Sequence, residues 1–201
     1  ATAPVYWDAQ ATTWDGGRGL WGVTRYEDIR TVASAQRLFG SGNSSRPDSP
    51  PVPSMINQDE PVHMARRGVI RRRFTPQAVR SYETFARRCA SRLIDAVAER
   101  GRCDFVKEIA TPLPMMMIGE LLGVPVDDYE KLLRWSDLFA TGLQDMPETH
   151  IEQVIEAVGE WNAYISFYFD ERRAEPGDDL ISAIVHAKIN RLPMTHEELM
   201  H

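Results

Sequence analysis

From Ile151 to Tyr168 the apolar residues return every third or fourth position: Ile151, Val154, Ile155, Val158, Trp161, Ile165 and Tyr168. That spacing predicts an amphipathic helix of several turns. Helical spacing also runs through "TRYEDIRTVAS", with Thr24 as the expected cap. It continues through a stretch from roughly 76 to 100 and through "PVDDYEKLLRWSDLFATG" and "GDDLISAIVHAK". "KEIATPLPMMMIGELLG" is apolar almost throughout and predicts a helix with Pro112 and Pro114 near its start. The beginning of the chain has a different rhythm. In "PVYWDAQATTWDGGRGLWGVTRY" aromatic and β-branched residues flank an Asp-Gly-Gly turn, which predicts a hairpin of two short strands. "RCDFV" reads as one more short strand. "LPMTHEELMH" reads as a helix start, with Thr195 and Glu198 in capping-box spacing and the sequence stopping within a turn of them. No repeat is visible. The expected fold class is mainly α with a small β portion.

The pattern lapses in "FGSGNSSRPDSPPVPSMINQ", which is rich in Gly, Ser and Pro. A loop of that length inside a compact chain is a binding lid or a disordered linker.

Composition narrows the functions without choosing one. The 201 residues are 43% hydrophobic and 26% charged, with a net charge of −6. An acidic total argues against general nucleic-acid binding, so any basic patch must have a local purpose. Two cysteines, Cys89 and Cys103, make neither a disulfide framework nor a metal cluster; a single bridge is open, but two buried thiols are the simpler expectation. No window approaches a membrane span and no signal peptide opens the sequence, so the expected location is cytoplasmic. Asp178-Asp179 before an apolar run reads as a helix N-terminus rather than a metal site. The methionines 115–117 and the aromatic residues Trp161, Tyr164, Phe167, Tyr168 and Phe169 are open to two readings, a ligand lining or plain core. His150 and His186 lack ligand-spaced partners.

The chemistry concentrates in "HMARRGVIRRRF", residues 63 to 74, where five arginines and a histidine fall in one helical stretch. Thr75-Pro76 ends it, because the residue before proline avoids α geometry and Thr75 can cap the next helix. At ~100° per residue, His63, Arg67, Ile70 and Phe74 lie within about 40° of one line if the helix is continuous. A face that is apolar at one end and cationic at the other suits an amphiphilic anion, since arginine grips carboxylates in bidentate fashion. The alternative is an arginine paired to an internal Asp or Glu, with His63 at the surface. Arg72 points the opposite way, and Arg66 and Arg73 lie together on one flank.

"INQDEPVHMARRGVIRRRFTPQAV" resembles the start of the C helix in bacterial cytochromes P-450, matching at Asp59, Pro61, His63, Arg67, Phe74, Thr75 and Pro76. The order Trp-x-Val-Thr-Arg-Tyr-x-Asp at 21 to 28, then "DFVKEIATPLPMMMIGELLGVP", "GDDLISAIVHA" and "MTHEEL" is similar too, so the resemblance covers essentially the whole sequence. Through "RPDSPPVPSMI" and "LLRWSD" it leans toward actinobacterial members that hydroxylate the side chain of cholesterol-like steroids.

The resemblance implies the N-terminal half of the P-450 fold, as part of a single domain over residues 1–201. It implies a haem b cofactor, with His63 and Arg67 on a haem propionate and Phe74 and Ile56 against the porphyrin. It implies an apolar substrate, a steroid or lipid side chain, touching Met55, Val52 and Leu143. It implies a ferredoxin-type electron donor docking on Arg66, Arg72 and Arg73. Gly68 departs from the longer residue usual at its position and weakens a helix by ~1 kcal/mol relative to alanine. The family's cysteine ligand and its oxygen-activating helix have no match, since neither Cys89 nor Cys103 has the required context. The expected activity is oxygen insertion by a longer protein, with no catalyst in this half alone. Two rivals stand beside it: a non-catalytic haem- or lipid-binding helical module, and a helical regulator using "RRRF" on nucleic acid.

Overall fold

The computed structural model describes residues 3–42, 47, 50–140 and 148–200, the side chains of 148 and 149 excepted. Among these, the chain forms two compact units, one running to Arg67 and the other from Gly68 to Met200.

The first unit opens with the expected hairpin. Strands β1 (Val5–Thr12) and β2 (Arg18–Val23) pair antiparallel, with Trp7 opposite Trp21 and their ring centroids 5.3 Å apart. Gly19 has φ +86° and lies beneath the Trp7 ring, where any side chain would collide with the indole. Helix α1 (Tyr26–Ser34) follows, but Thr24 does not cap it. The backbone N–H of Thr24 donates to Pro4 O at 2.9 Å and its hydroxyl donates to the same atom at 3.3 Å, so the residue extends the strand pairing instead. Arg25 stands at the cap position and pairs with Asp28 at 2.8 Å. The proline-rich loop closes in one 3₁₀ turn, Met55–Asn57, and helix α2 (Val62–Ile70) begins in this unit.

In the second unit the basic stretch tightens to a 3₁₀ turn over Arg71–Phe74. Thr75 then caps helix α3 (Pro76–Ser81) as expected, accepting from Ala78 N at 3.3 Å. One long helix from 76 to 100 is not what forms: a turn at Tyr82, whose N–H donates to Val79 O, separates α3 from α4 (Glu83–Ala98). Helix α4 buries Phe85, Cys89, Leu93 and Val97, each four residues, or just over one turn, from the last. "RCDFV" is not a strand. Asp104 Oδ1 accepts from Lys107 N at 3.1 Å and Glu108 Oε2 accepts from Asp104 N at 2.8 Å, a reciprocal cap that starts a π turn, Val106–Ala110, ahead of α5 (Pro112–Leu122).

Helices α6 (Tyr129–Ala140), α7 (Glu148–Ala174) and α8 (Leu180–Val185) follow, each packing on its neighbour in sequence. The main core joins Trp135, Ala157, Ile165, Phe169, Ile181 and Val185. A second cluster sets Phe85, Cys89 and Leu93 of α4 with Met116 of α5. A two-residue hairpin, β3 (Lys188–Ile189) and β4 (Leu192–Pro193), turns through Asn190 and Arg191 at φ 52° and 70° before α9 (His196–Met200). The Thr195–Glu198 capping box forms in both directions, at 2.8 and 3.2 Å. Both thiols are free. Cys89 is buried, and burial pushes its pKa up, whereas Cys103 is exposed, against the expectation of two buried thiols. No helix among the described residues is long and apolar enough to cross a membrane.

Asp179 ties this unit together. Its Oδ1 accepts from Ser182 N at 2.6 Å, capping α8, and its Oδ2 accepts from Arg172 Nε at 2.6 Å, while Arg172 Nη2 donates to Gly123 O at 2.7 Å. Gly123 ends α5 at φ +81°, and a Cβ built there runs into the Asp179 side chain. Gly123→Ala should therefore destabilise the unit by more than the ~1–2 kcal/mol of a left-handed alanine. Urea unfolding checks this, and a loss within a few tenths of wild type would show that the pair can shift aside.

Candidate functional site

A cavity of about 260 Å³ lies within the first unit, between the end of α1, the 39–41 segment, the Met55–Asn57 turn and the start of α2. Val32, Phe39, Met55 and Ile56 give it an apolar side, and Asp59, Glu60 and His63 give it a polar one. Three residues singled out from sequence, Met55, Ile56 and His63, thus share one cavity. Local chemistry brings them there. Asp59 Oδ1 accepts from Ser41 N at 2.8 Å, which fastens the segment after α1 to the approach to α2. Glu60 accepts from Met64 N at 3.3 Å and from His63 Nδ1 at 3.2 Å. With Nδ1 directed at Glu60, the Nε2 of His63 remains to meet a ligand.

Arg67 lies one turn beyond His63, on the same side of α2. It is exposed, and its side chain makes no hydrogen bond or ion pair among the described residues. An imidazole and an unneutralised guanidinium at this spacing can hold one carboxylate, so the donor set fits a haem propionate. The alternative of an internal acid partner for Arg67 is not realised among these residues. Gly68, the next residue, has open space around it, so close packing does not explain the glycine.

Phe74 departs from the line drawn from His63. That line assumed one α-helix to residue 74, but α2 ends at Ile70 and four residues of 3₁₀ geometry rotate Phe74 by ~80° further. Phe74 belongs to the second unit and is 54% exposed. The remaining arginines are not equivalent either. Arg66 Nη1 donates to Pro53 O at 2.9 Å. Arg73 pairs with Asp178 Oδ1 at 2.7 Å and donates to Asp178 O at 2.9 Å, so its charge is used within the chain. Arg72 is exposed, and its side chain is unengaged among the described residues. Val52 and Ile56 are exposed apolar residues, at 54% and 70%. Leu143 lies outside the described residues.

Sequence reasoning missed a second cavity, of about 490 Å³, inside the second unit. Met115, Ile118 and Leu122 of α5 face Trp135 and Phe139 of α6 and Trp161 of α7 across it. The signal was present as apolar positions on three consecutive helices, but only the order of packing shows which of them leave a gap. Of the methionines, Met116 is core, and Met115 packs against the main core and lines this cavity. Tyr168 and Phe169 are core, whereas Phe167 is exposed. Trp135 packs on Trp161 at 5.7 Å and on Tyr164 at 5.1 Å. Burial, reinforced by a 2.9 Å hydrogen bond to Asp128, pushes the Tyr164 hydroxyl far up, so it stays a donor. Asp179 is a helix cap as expected, and no cluster of metal-ligating side chains occurs among the described residues.

No family model matches the chain. It is 37% identical over 183 residues to a steroid C26-monooxygenase of Mycolicibacterium smegmatis, which covers 90% of this chain and 46% of that protein. It is 34% identical over 190 residues to the mycinamicin IV hydroxylase/epoxidase of Micromonospora griseorubida, covering 92% and 47%. Among solved structures, CYP109E1 from Bacillus megaterium in complex with testosterone matches with TM-score 0.78 at 30% identity, over 99% of this chain and 49% of that one. The versatile cytochrome P450 enzyme CYP109B1 from Bacillus subtilis matches with TM-score 0.73 at 30% identity, over 99% and 50%. The chain spans about half the length of the curated relatives it matches.

Proposed function

We propose that this chain, which carries half of the cytochrome P-450 fold, is part of a longer haem-thiolate monooxygenase that hydroxylates a bulky apolar substrate, a steroid or lipid side chain. The observation that carries this reading is that His63, Met55 and Ile56 line a common cavity, in a chain of this sequence similarity. His63 and Arg67 hold a haem propionate, Ile56 touches the porphyrin, and Met55, Val52 and Leu143 face the substrate. Phe74 keeps the porphyrin edge as its assigned contact. Bound haem supplies reductive activation of O₂ and insertion of one oxygen atom into a C–H bond. The iron ligand is a cysteine outside these residues, since Cys89 is packed with Phe85 and Leu93 and Cys103 lacks the family's surroundings.

The reduced, carbon-monoxide-bound spectrum of the full-length protein tests this. A band typical of thiolate ligation supports the reading. A spectrum typical of histidine or neutral-thiol ligation would turn it into the second reading, a non-catalytic haem- or lipid-binding module.

Electrons come from an acidic ferredoxin, and of the three arginines assigned to it Arg72 is the one whose side chain is exposed and unengaged among the described residues. A cationic patch steers an acidic partner even when net charges repel. Arg72→Glu should slow reduction on the order of tenfold at low salt and flatten its salt dependence, with an intact haem spectrum. An unchanged rate would remove Arg72 from the docking surface.

A further inference from the structure

The segment from Pro50 to Ser54 contains three prolines, Pro50, Pro51 and Pro53. Proline has no N–H, so only Val52 and Ser54 of this segment can donate a backbone hydrogen bond. Its carbonyls are met instead by side chains that come later in the sequence. Asn57 Nδ2 donates to Val52 O at 3.0 Å and Gln58 Nε2 donates to Pro53 O at 3.2 Å. Arg66 Nη1 donates to Pro53 O at 2.9 Å, reaching back 13 residues. Asn57 is itself buried, at 8% exposure.

The three donors differ in what they attach. Asn57 and Gln58 sit within or just after the 3₁₀ turn, so they only fold the loop upon itself. Arg66 alone anchors it to α2, the helix that carries His63. The anchored loop presents Val52, Met55 and Ile56, the residues assigned above to substrate and porphyrin. Arg66 is partly buried and has no carboxylate partner among the described residues, so its hydrogen-bonding capacity is directed to this carbonyl.

We infer that Arg66 is a positioning residue for substrate, a tether that fixes the Val52–Ile56 lip relative to α2, and that it is not part of the partner-docking surface. This rests on the monooxygenase reading of the same loop. With the tether cut, the loop samples more conformations, and each bound substrate must order it again. One charge-assisted hydrogen bond to a carbonyl corresponds to roughly tenfold in affinity.

The test uses the full-length, haem-loaded protein with Arg66→Met, which keeps the aliphatic stem, and Arg66→Lys, which keeps one charged donor. Testosterone serves as the probe, read by the change it causes in the haem spectrum. The expected result is a roughly tenfold weaker response in Arg66→Met, partial recovery in Arg66→Lys, and unchanged haem content and reduction rate in both. Loss of haem from Arg66→Met, or slowed reduction with unaltered testosterone binding, would overturn the inference. Amide hydrogen exchange at Met55–Gln58 gives a readout independent of substrate. Faster exchange in Arg66→Met supports the tether, and unchanged exchange refutes it. If the wild type shows no thiolate spectrum, the monooxygenase reading fails and the substrate role fails with it, whereas the exchange result still decides whether the tether exists.

Discussion

Arg67→Ala should strip the full-length protein of most of its haem. The guanidinium is exposed and unpaired among the described residues, so no internal acid shares it. A propionate held by Arg67 and His63 therefore gains a full charge-assisted contact, worth about 1.5–3 kcal/mol. Losing it lowers haem affinity roughly 10- to 100-fold. The measurement is the haem-to-protein ratio after purification, together with the rate of haem transfer to an apoglobin acceptor. Arg67→Lys should fall between wild type and alanine, because lysine keeps the charge but not the bidentate fork. Haem retention equal to wild type in Arg67→Ala would remove this residue from the propionate site.

Arg172→Ala carries the largest expected stability effect. Arg172 bonds Asp179, and Asp179 is 8% exposed at its side chain. Truncating the arginine leaves a buried carboxylate without its cation and the carbonyl of Gly123 without its donor, for a loss of about 3–5 kcal/mol. Burial alone would raise the Asp179 carboxyl, but the Ser182 N–H and the Arg172 guanidinium outweigh it and hold the group below its ordinary 3.8. A depressed pKa contributes stability that is present above the unfolded value and is lost as pH falls through the folded one. The wild-type contribution should therefore fade only below about pH 4, whereas Arg172→Ala should be weakened already at neutral pH and lose less on acidification, because protonation relieves its unpaired buried carboxylate. Urea unfolding at neutral pH and across the acid range reads both effects. A loss under about 1 kcal/mol would mean that water reaches the pair and screens it.

The parts legible from sequence are those that close locally. Thr75 before Pro76, Asp179 three residues before Ser182, and Thr195 with Glu198 each satisfy a helix end with a side chain within one turn, and each forms. The opening hairpin was equally local. "RCDFV" misled because Phe and Val favour strands, while the Asp104–Glu108 cap that decides the matter spans only five residues and went unread. The β3–β4 hairpin hid because Arg191, not glycine, takes the second positive-φ position of its turn.

The site was legible in its types and not in its pairings. His63, Met55 and Ile56 meet at one cavity because the Asp59–Ser41 contact folds the chain back, a link 18 residues long. Helical angle puts Arg66 and Arg73 together on one flank, yet their partners are set by tertiary structure: Pro53 for Arg66 and, 105 residues on, Asp178 for Arg73. The shared line of His63 and Phe74 assumes α geometry through a turn that is 3₁₀.

In the second unit, α4 packs on α5, α5 on α6, α6 on α7 and α7 on α8. A growing polypeptide meets these partners in the order in which a ribosome releases them. Each new helix finds its docking surface already made, and closing so short a connection costs little chain entropy. The Arg172–Asp179 pair and its bond to Gly123 O come late in that sequence, when α7 and α8 emerge. The pair therefore acts as a latch on helices already gathered. Its loss should speed unfolding far more than it slows folding.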